Sequence, residues 1–436
     1  MIDLDGAGLA FSFPPLQARL DALLEAHIAH GRQALLAEPR DAAFGRLMTR
    51  YIYSQAPQDW RDRALVALRA LTDAHIAEAF AQAVRGHWSA TVPPLEVGFQ
   101  RTLRIPDDGK DHPLPPGLGS FPLKHLDACT GAIPENWKAR GGVVLPMYQG
   151  EALWVSFHGG YICALKLGAG GINAISGEPW RRGLSRQPQD YCVIPGQSWL
   201  DGFCVGKGVI RQFVAMPLGE GYTAEEQVTG RARVGGVQLR VFPMRIELFF
   251  TKVVEPVLPR SLEELLPSLL PPVPMPMPSY GVTTGAMPMM APCAAAPPGG
   301  GGAMGLGAGG KIRQEIYTDT KQLGDYDLEA GVGCFVHVVN SQRWRALTGT
   351  DPPQPPVTAQ TYAQHRLPWF DYYRDDGAAA VGGSGVLAKL KSVFQVAREK
   401  QSSVFAEDAS LPDVPVVHLG PGDRPGSVRG WRGDPG

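Results

Sequence analysis

The sequence predicts an α+β protein: an N-terminal helical domain followed by an antiparallel β-sandwich or barrel with an internal repeat. Three observations carry that expectation. Apolar residues recur at helical spacing between Leu16 and Trp88, short alternating runs bounded by Gly, Pro and Asn follow as far as Phe242, and one pattern occurs twice in the same order.

In the first region Leu16, Leu20, Leu23, Leu24 and Ile28 fall on one helical stripe. Ala64, Leu65, Leu68 and Leu71 form a second, and Ile76, Phe80 and Val84 a third. Three or four amphipathic helices fit, with a break at Ala56-Pro57 because proline disfavours helix in the residue before it. Helices this short hold only when their stripes pack together or onto a neighbour.

Beyond Pro93-Pro94 the period changes from helical to alternating. Val97 to Ile105, Val143 to Leu145, Ala152 to Phe157, Ile162 to Leu167, Tyr191 to Ile194, Val209 to Met216 and Val237 to Phe242 read as strands. Without helical runs between them, these strands argue for a sandwich or barrel rather than a parallel sheet. The glycines of Leu167 to Asn173 lack the spacing of a dinucleotide loop, so a β-turn is the expectation there.

The repeated pattern is Gly208-Val209-Ile210-Arg211-Gln212, then Leu218-Gly219-Glu220, Tyr222 and Gly236 to Val241. It is echoed by Gly310-Lys311-Ile312-Arg313-Gln314, then Leu323-Gly324-Asp325, Tyr326 and Gly333 to Val339. In a strand, Ile210, Gln212 and Val214 share one face, as do Ile312, Gln314 and Ile316. Each buried face therefore carries a glutamine whose amide must find partners, and the opposite face, with Arg211 and Phe213 or Arg313 and Tyr317, is expected to be solvated.

Proline, methionine and glycine dominate between the copies, a composition that cannot offset its ordering entropy. The expected organisation is residues 1–94 helical, 95–255 the first part of the β-rich domain, 256–309 a disordered linker, 310–376 the second part, and 377–436 a short helix (Val386 to Lys400) with a disordered tail.

A chain of 436 residues with a hydrophobic share of 44% can bury a real core, and a formal net charge of -1 supplies no field for nucleic acid or anionic lipid. The N-terminus has the wrong charge for a secretory signal, and no apolar run reaches the roughly 18 residues of a membrane span. Six cysteines without a C-x-x-C pair lead to an expectation of reduced thiols in a cytoplasmic protein with no metal and no cofactor.

Candidate chemistry is sparse. His27 and His30 lack further ligands nearby, and Cys334 and His337 face opposite ways on a strand. The loops Ser176 to Arg182 and Pro195 to Gly202 are the richest in polar and aromatic groups, so Trp180, Trp199, Glu178 and Arg181 are the candidate ligand-binding residues: indole offers a large apolar face and one donor. For an enzyme, Glu151, His158, Asp201 and Arg211 are the residues that could serve as acid, base or charge stabiliser.

Pro146 to Trp154, with Trp199 to Gly202 and Ile210 to Gly219, resembles a family of conserved hypothetical proteins of bacteria and filamentous fungi. The resemblance runs from about Gly117 to Tyr373 outside the linker and implies no activity, cofactor or site residue. The functional expectation is a non-catalytic binding or interaction protein, with a small molecule or another protein as partner and no nucleic acid. The alternative is an enzyme acting on a small polar substrate in a pocket of the β-rich domain.

Overall fold

The computed structural model describes residues 2–5, 8–87, 95–273, 302–358, 369–372, 379–402 and 415–419. They divide between two compact units, one of Phe13–Val92 with Arg245–Met290 and one of Met1–Ser12, Pro93–Met244 and Ala291–Gly436.

The helical unit forms as the spacing predicts. Helix Pro14–Ala37 buries Leu16, Leu20, Leu24, Ile28 and Leu35 and packs against helix Asp73–His87, whose Ile76, Phe80 and Val84 are buried. Helix Gln58–Ala70 buries Trp60, Ala64 and Leu68, and the Trp60 indole donates to the carbonyl of Pro271 at 3.0 Å. The domain boundaries differ from expectation at three places. Strands Ile2–Asp5 and Gly8–Phe11 belong to the sheet, because Gly8–Phe11 pairs with Leu95–Thr102. Residues 245–255 are helical, not part of the β-rich domain: Ile246, Phe249, Phe250 and Val254 recur at helical spacing and bury that face. The supposed linker contains helix Leu262–Leu269, which starts at the Ser261 cap and packs Leu262, Leu265 and Leu266 inward. Residues 274–300 of that linker, and the tail from Gly420, lie outside the described residues.

The other unit is built on one hydrogen-bonded sheet of seventeen strands, mostly antiparallel, whose order is open rather than a closed barrel among the described residues. Two pairings are parallel, Val332–Asn340 with Val143–Met147 and Ala303–Arg313 with Asp111–His112. Long strands change partner along their length. Val209–Pro217 pairs with Ala303–Arg313 on one edge and, on the other, with Gly202–Gly206 and then Ala152–His158.

The echoed pattern pairs with itself. Ile210 faces Ile312, flanked by Val209 with Arg313 and Arg211 with Lys311, so equivalent positions of the two copies meet about a local two-fold. The later strands do the same: Gln238 faces Phe335, flanked by Val237 with Val336 and Leu239 with Cys334. Strand Ala303–Arg313 begins seven residues before the expected start at Gly310, although its glycines suggested a floppy segment. The reason is close backbone approach, since a Cβ at Gly310 would lie 2.2 Å from the carbonyl oxygen of Pro106.

The two glutamines of the echo are buried and perform one task twice. Gln212 accepts from the Ile105 amide and donates to the Leu103 carbonyl, both at 2.8 Å. Gln314 accepts from Asp201 N at 2.9 Å and donates to Trp199 O at 3.4 Å. A primary amide carries the same donor and acceptor as a peptide group, so each side chain stands in for a strand neighbour. Gln197 grips Glu315 and Tyr317 in the same way, and Gln189 grips Tyr317 and Asp319. The opposite face is not solvated on the first copy, contrary to expectation: Arg211 and Phe213 are buried because Val209–Pro217 is a central strand covered on both sides. The expected helix from Val386 to Lys400 is shorter, a turn at Leu387–Lys389 followed by Val393–Glu399, because Ser392 caps the latter through the amide of Gln395.

Candidate functional site

The Ser176 to Arg182 loop is fixed onto one face of the sheet by its own turn chemistry. Strand Cys163–Ala169 turns at Gly170 and Gly171, with φ of 60° and 79°, and pairs back with Ile172–Asn173. Asn173 then accepts from the amides of Ile175 and Ser176 at 2.9 Å and donates to the Asp190 carbonyl at 2.7 Å. The Trp180 amide donates to Gly171 O at 2.8 Å.

Those bonds bring the Trp180 ring down on Gly168. A Cβ at position 168 would lie 2.6 Å from the indole, so only glycine leaves room. The ring is half-buried, and Lys166 Nζ stands 5.5 Å from its centroid, within cation–π range. Lys166 itself is buried, donates to the carbonyl of Gly183 at 2.6 Å and pairs with Asp190, which also accepts from Ser185 N. One charge of the group is therefore matched.

The next strand adds a charge that is not matched. In Val237–Pro243, Arg240 lies opposite Lys166 on one side and Gly333 on the other, and like charges directly opposite across a sheet are unfavourable. Its guanidinium sits 5.3 Å from the Phe242 ring, its Nε is buried with no hydrogen-bond partner, and no carboxylate pairs with it among the described residues. Burial first, then the nearby Arg182, pulls the Arg240 pKa below its ordinary value. Arg182 is exposed and likewise forms no ion pair among the described residues. Glycines complete the surround: a Cβ at Gly331 would meet Arg240 Nε at 3.2 Å, and one at Gly333 would meet Nη1 at 3.6 Å.

The expected site residues thus divide. Trp180 lies on this face against Gly168 and beside Lys166, while Glu178 and Arg181 are exposed on its loop. Trp199 does not join them; it is 5% exposed and held in strand Trp199–Leu200, paired with Val155 and Ser156. The candidate catalytic groups do not form one constellation either. Glu151 is buried and bound by Arg101 at 2.6 Å and by the Tyr148 amide at 2.9 Å, and burial raises its pKa despite both. Asp201 is buried against Gln314, Arg211 is engaged by Asp107 at 3.3 Å and by Gly309 O at 3.0 Å, and His158 is exposed at the end of its strand. Cys334 and His337 do not activate one another, since burial pushes the thiol up to about 12 and the imidazole down to about 4.

Arg182 belongs to the loop that the sequence singles out, whereas Arg240 and Lys166 were missed by the sequence reading. A signal existed: Lys166 with Gly168, and Gln238 with Arg240, recur at period two inside otherwise apolar strands and mark one polar face. Comparison with family models, with curated proteins and with solved structures finds no match to this chain. Among the described residues, no helix is long and apolar enough to cross a membrane.

Proposed function

We propose that the protein is a non-catalytic binding protein whose recognition surface is the Ser176 to Arg182 loop and the sheet face beneath it. One observation carries this reading. Trp180 is held against the sheet beside two arginines that no carboxylate neutralises among the described residues, while Glu151, Asp201 and Arg211 are engaged in holding backbone and strands together. An indole locked by Gly168 loses little freedom on binding, which is what a ligand platform requires.

The test is a thermal-shift screen of metals, nucleotides, sugars and organic acids on the wild type, Trp180→Ala and Gly168→Val, the last of which displaces the indole without changing charge. A ligand raises Tm by mass action, and its shift is expected to vanish in both variants. A compound whose shift survives in both, or one recovered chemically altered by mass spectrometry, overturns the proposal.

A further inference from the structure

We infer that the sheet face carrying Arg240, with Trp180 and the nearby exposed Arg182, takes a dianionic oxyanion, the phosphate group of a phosphate monoester. The inference rests on the binding function proposed above and adds to it the class of ligand.

Charge counting comes first. Lys166 is matched by Asp190, whereas Arg240 and Arg182 have no acidic partner among the described residues, which leaves a local surplus of two positive charges. The chain as a whole has a formal net charge of -1, so this surplus is a local arrangement and not a reflection of a basic protein. A phosphate monoester carries about -1.5 to -2 at neutral pH and so matches it.

Geometry comes second. Arg240 is packed on the sheet: Phe242 lies beneath its guanidinium at 5.3 Å, Lys166 and Gly333 occupy the neighbouring strand positions, and its Nε has no acceptor among the described residues. A planar guanidinium presents paired N–H groups that suit the oxygens of phosphate. Gly333 puts no side chain beside Nη1, where a Cβ would lie at 3.6 Å, while Gly331 packs against the Phe242 ring, 2.5 Å from where its Cβ would be.

Energetics comes third. Three neighbouring cations with a single carboxylate lower stability through repulsion, and among the described residues the contact that offsets it at Arg240 is the Phe242 ring rather than a carboxylate. An arginine kept for structure has a partner, as Arg101 has Glu151 and Arg211 has Asp107.

Isothermal titration of the full-length chain with inorganic phosphate, against chloride at matched ionic strength, tests the inference. Saturable binding is expected, weakened at least tenfold in Arg240→Met, several-fold in Arg182→Ala and partly restored in Arg240→Lys. Without phosphate, Arg240→Met is expected to melt at or above the wild-type temperature, because it removes like-charge repulsion. Absence of saturable binding overturns the phosphate assignment and leaves the binding surface itself to the thermal-shift screen. Equal affinity in Arg240→Met overturns the placement. A fall in Tm accompanying the lost affinity overturns the functional role of Arg240 in favour of a structural one.

Discussion

The Arg101 corner and the Arg240 face are both arginines on sheet strands, and they have opposite fates. Arg101 makes a two-nitrogen contact with buried Glu151, whose other oxygen holds the Tyr148 amide, and Arg101 also donates to the carbonyl of Gln354. Arg240 touches an aromatic ring, faces another cation and leaves Nε without an acceptor among the described residues. Buried polar groups in folded proteins are nearly always satisfied, so the corner explains itself by stability and the Arg240 face does not. What the contrast teaches is that stability accounts for the pairing at Arg101 and leaves Arg240 to be accounted for, which is the ground of the proposed binding role.

The contrast can be broken most forcefully at the corner. Glu151→Ala leaves Arg101 only 14% exposed with no counter-charge, and the expected loss is about 3–5 kcal/mol, read from urea unfolding.

The next effect concerns His337, which is stacked on Trp137 at 4.5 Å, close to Phe335, and donates to Gly141 O at 2.9 Å. Burial, with a smaller contribution from Arg140, lowers its pKa from 6.5 to about 4, so the folded state binds fewer protons than the unfolded chain between those values. Stability is therefore complete above about pH 6.5 and is lost as pH falls through that window, by up to about 3 kcal/mol. Unfolding measured from pH 7 to 4 should show that loss in the wild type and a flatter profile in His337→Gln.

A smaller change is expected at a glutamine clamp. Gln212→Leu orphans the Leu103 carbonyl and the Ile105 amide and should cost about 1–3 kcal/mol, with faster hydrogen exchange at the Ile105 amide as the local readout. Smallest of all is Arg182→Ala, an exposed residue with no ion pair among the described residues, whose stability should stay within about 0.5 kcal/mol of wild type. A loss at Arg182 comparable to that at Glu151 would erase the difference between the two regions.

Much of the architecture was legible because local periodicity reports a buried face directly. The stripes of Leu16 to Ile28 and Ile76 to Val84, and the strands from Val143 to Phe242, appear where their patterns place them. Legibility failed where a residue's role depends on what packs over it. The glycines of Ala303–Arg313 read as flexibility, yet they permit backbone contact with Pro106, and the period of Ile246 to Val254 was hidden by Glu247 and Lys252 among it. The site was less legible still. Trp180 was identified from its loop, but Trp199, of the same type in a similar loop, is a buried strand residue, and Arg240 counted only as an interruption of an apolar run.

By itself the sequence determined the helical and strand periods, the twice-used pattern and the need of its glutamines for partners, because these follow from which neighbours along the chain share a face. Only the tertiary structure decided that the two copies pair with each other, that Glu151 is held by Arg101 and Arg211 by Asp107, and that Arg240 is left facing Lys166. Those outcomes depend on groups far apart in the chain meeting across strands, and one-dimensional spacing carries no record of which distant charge arrives with a partner.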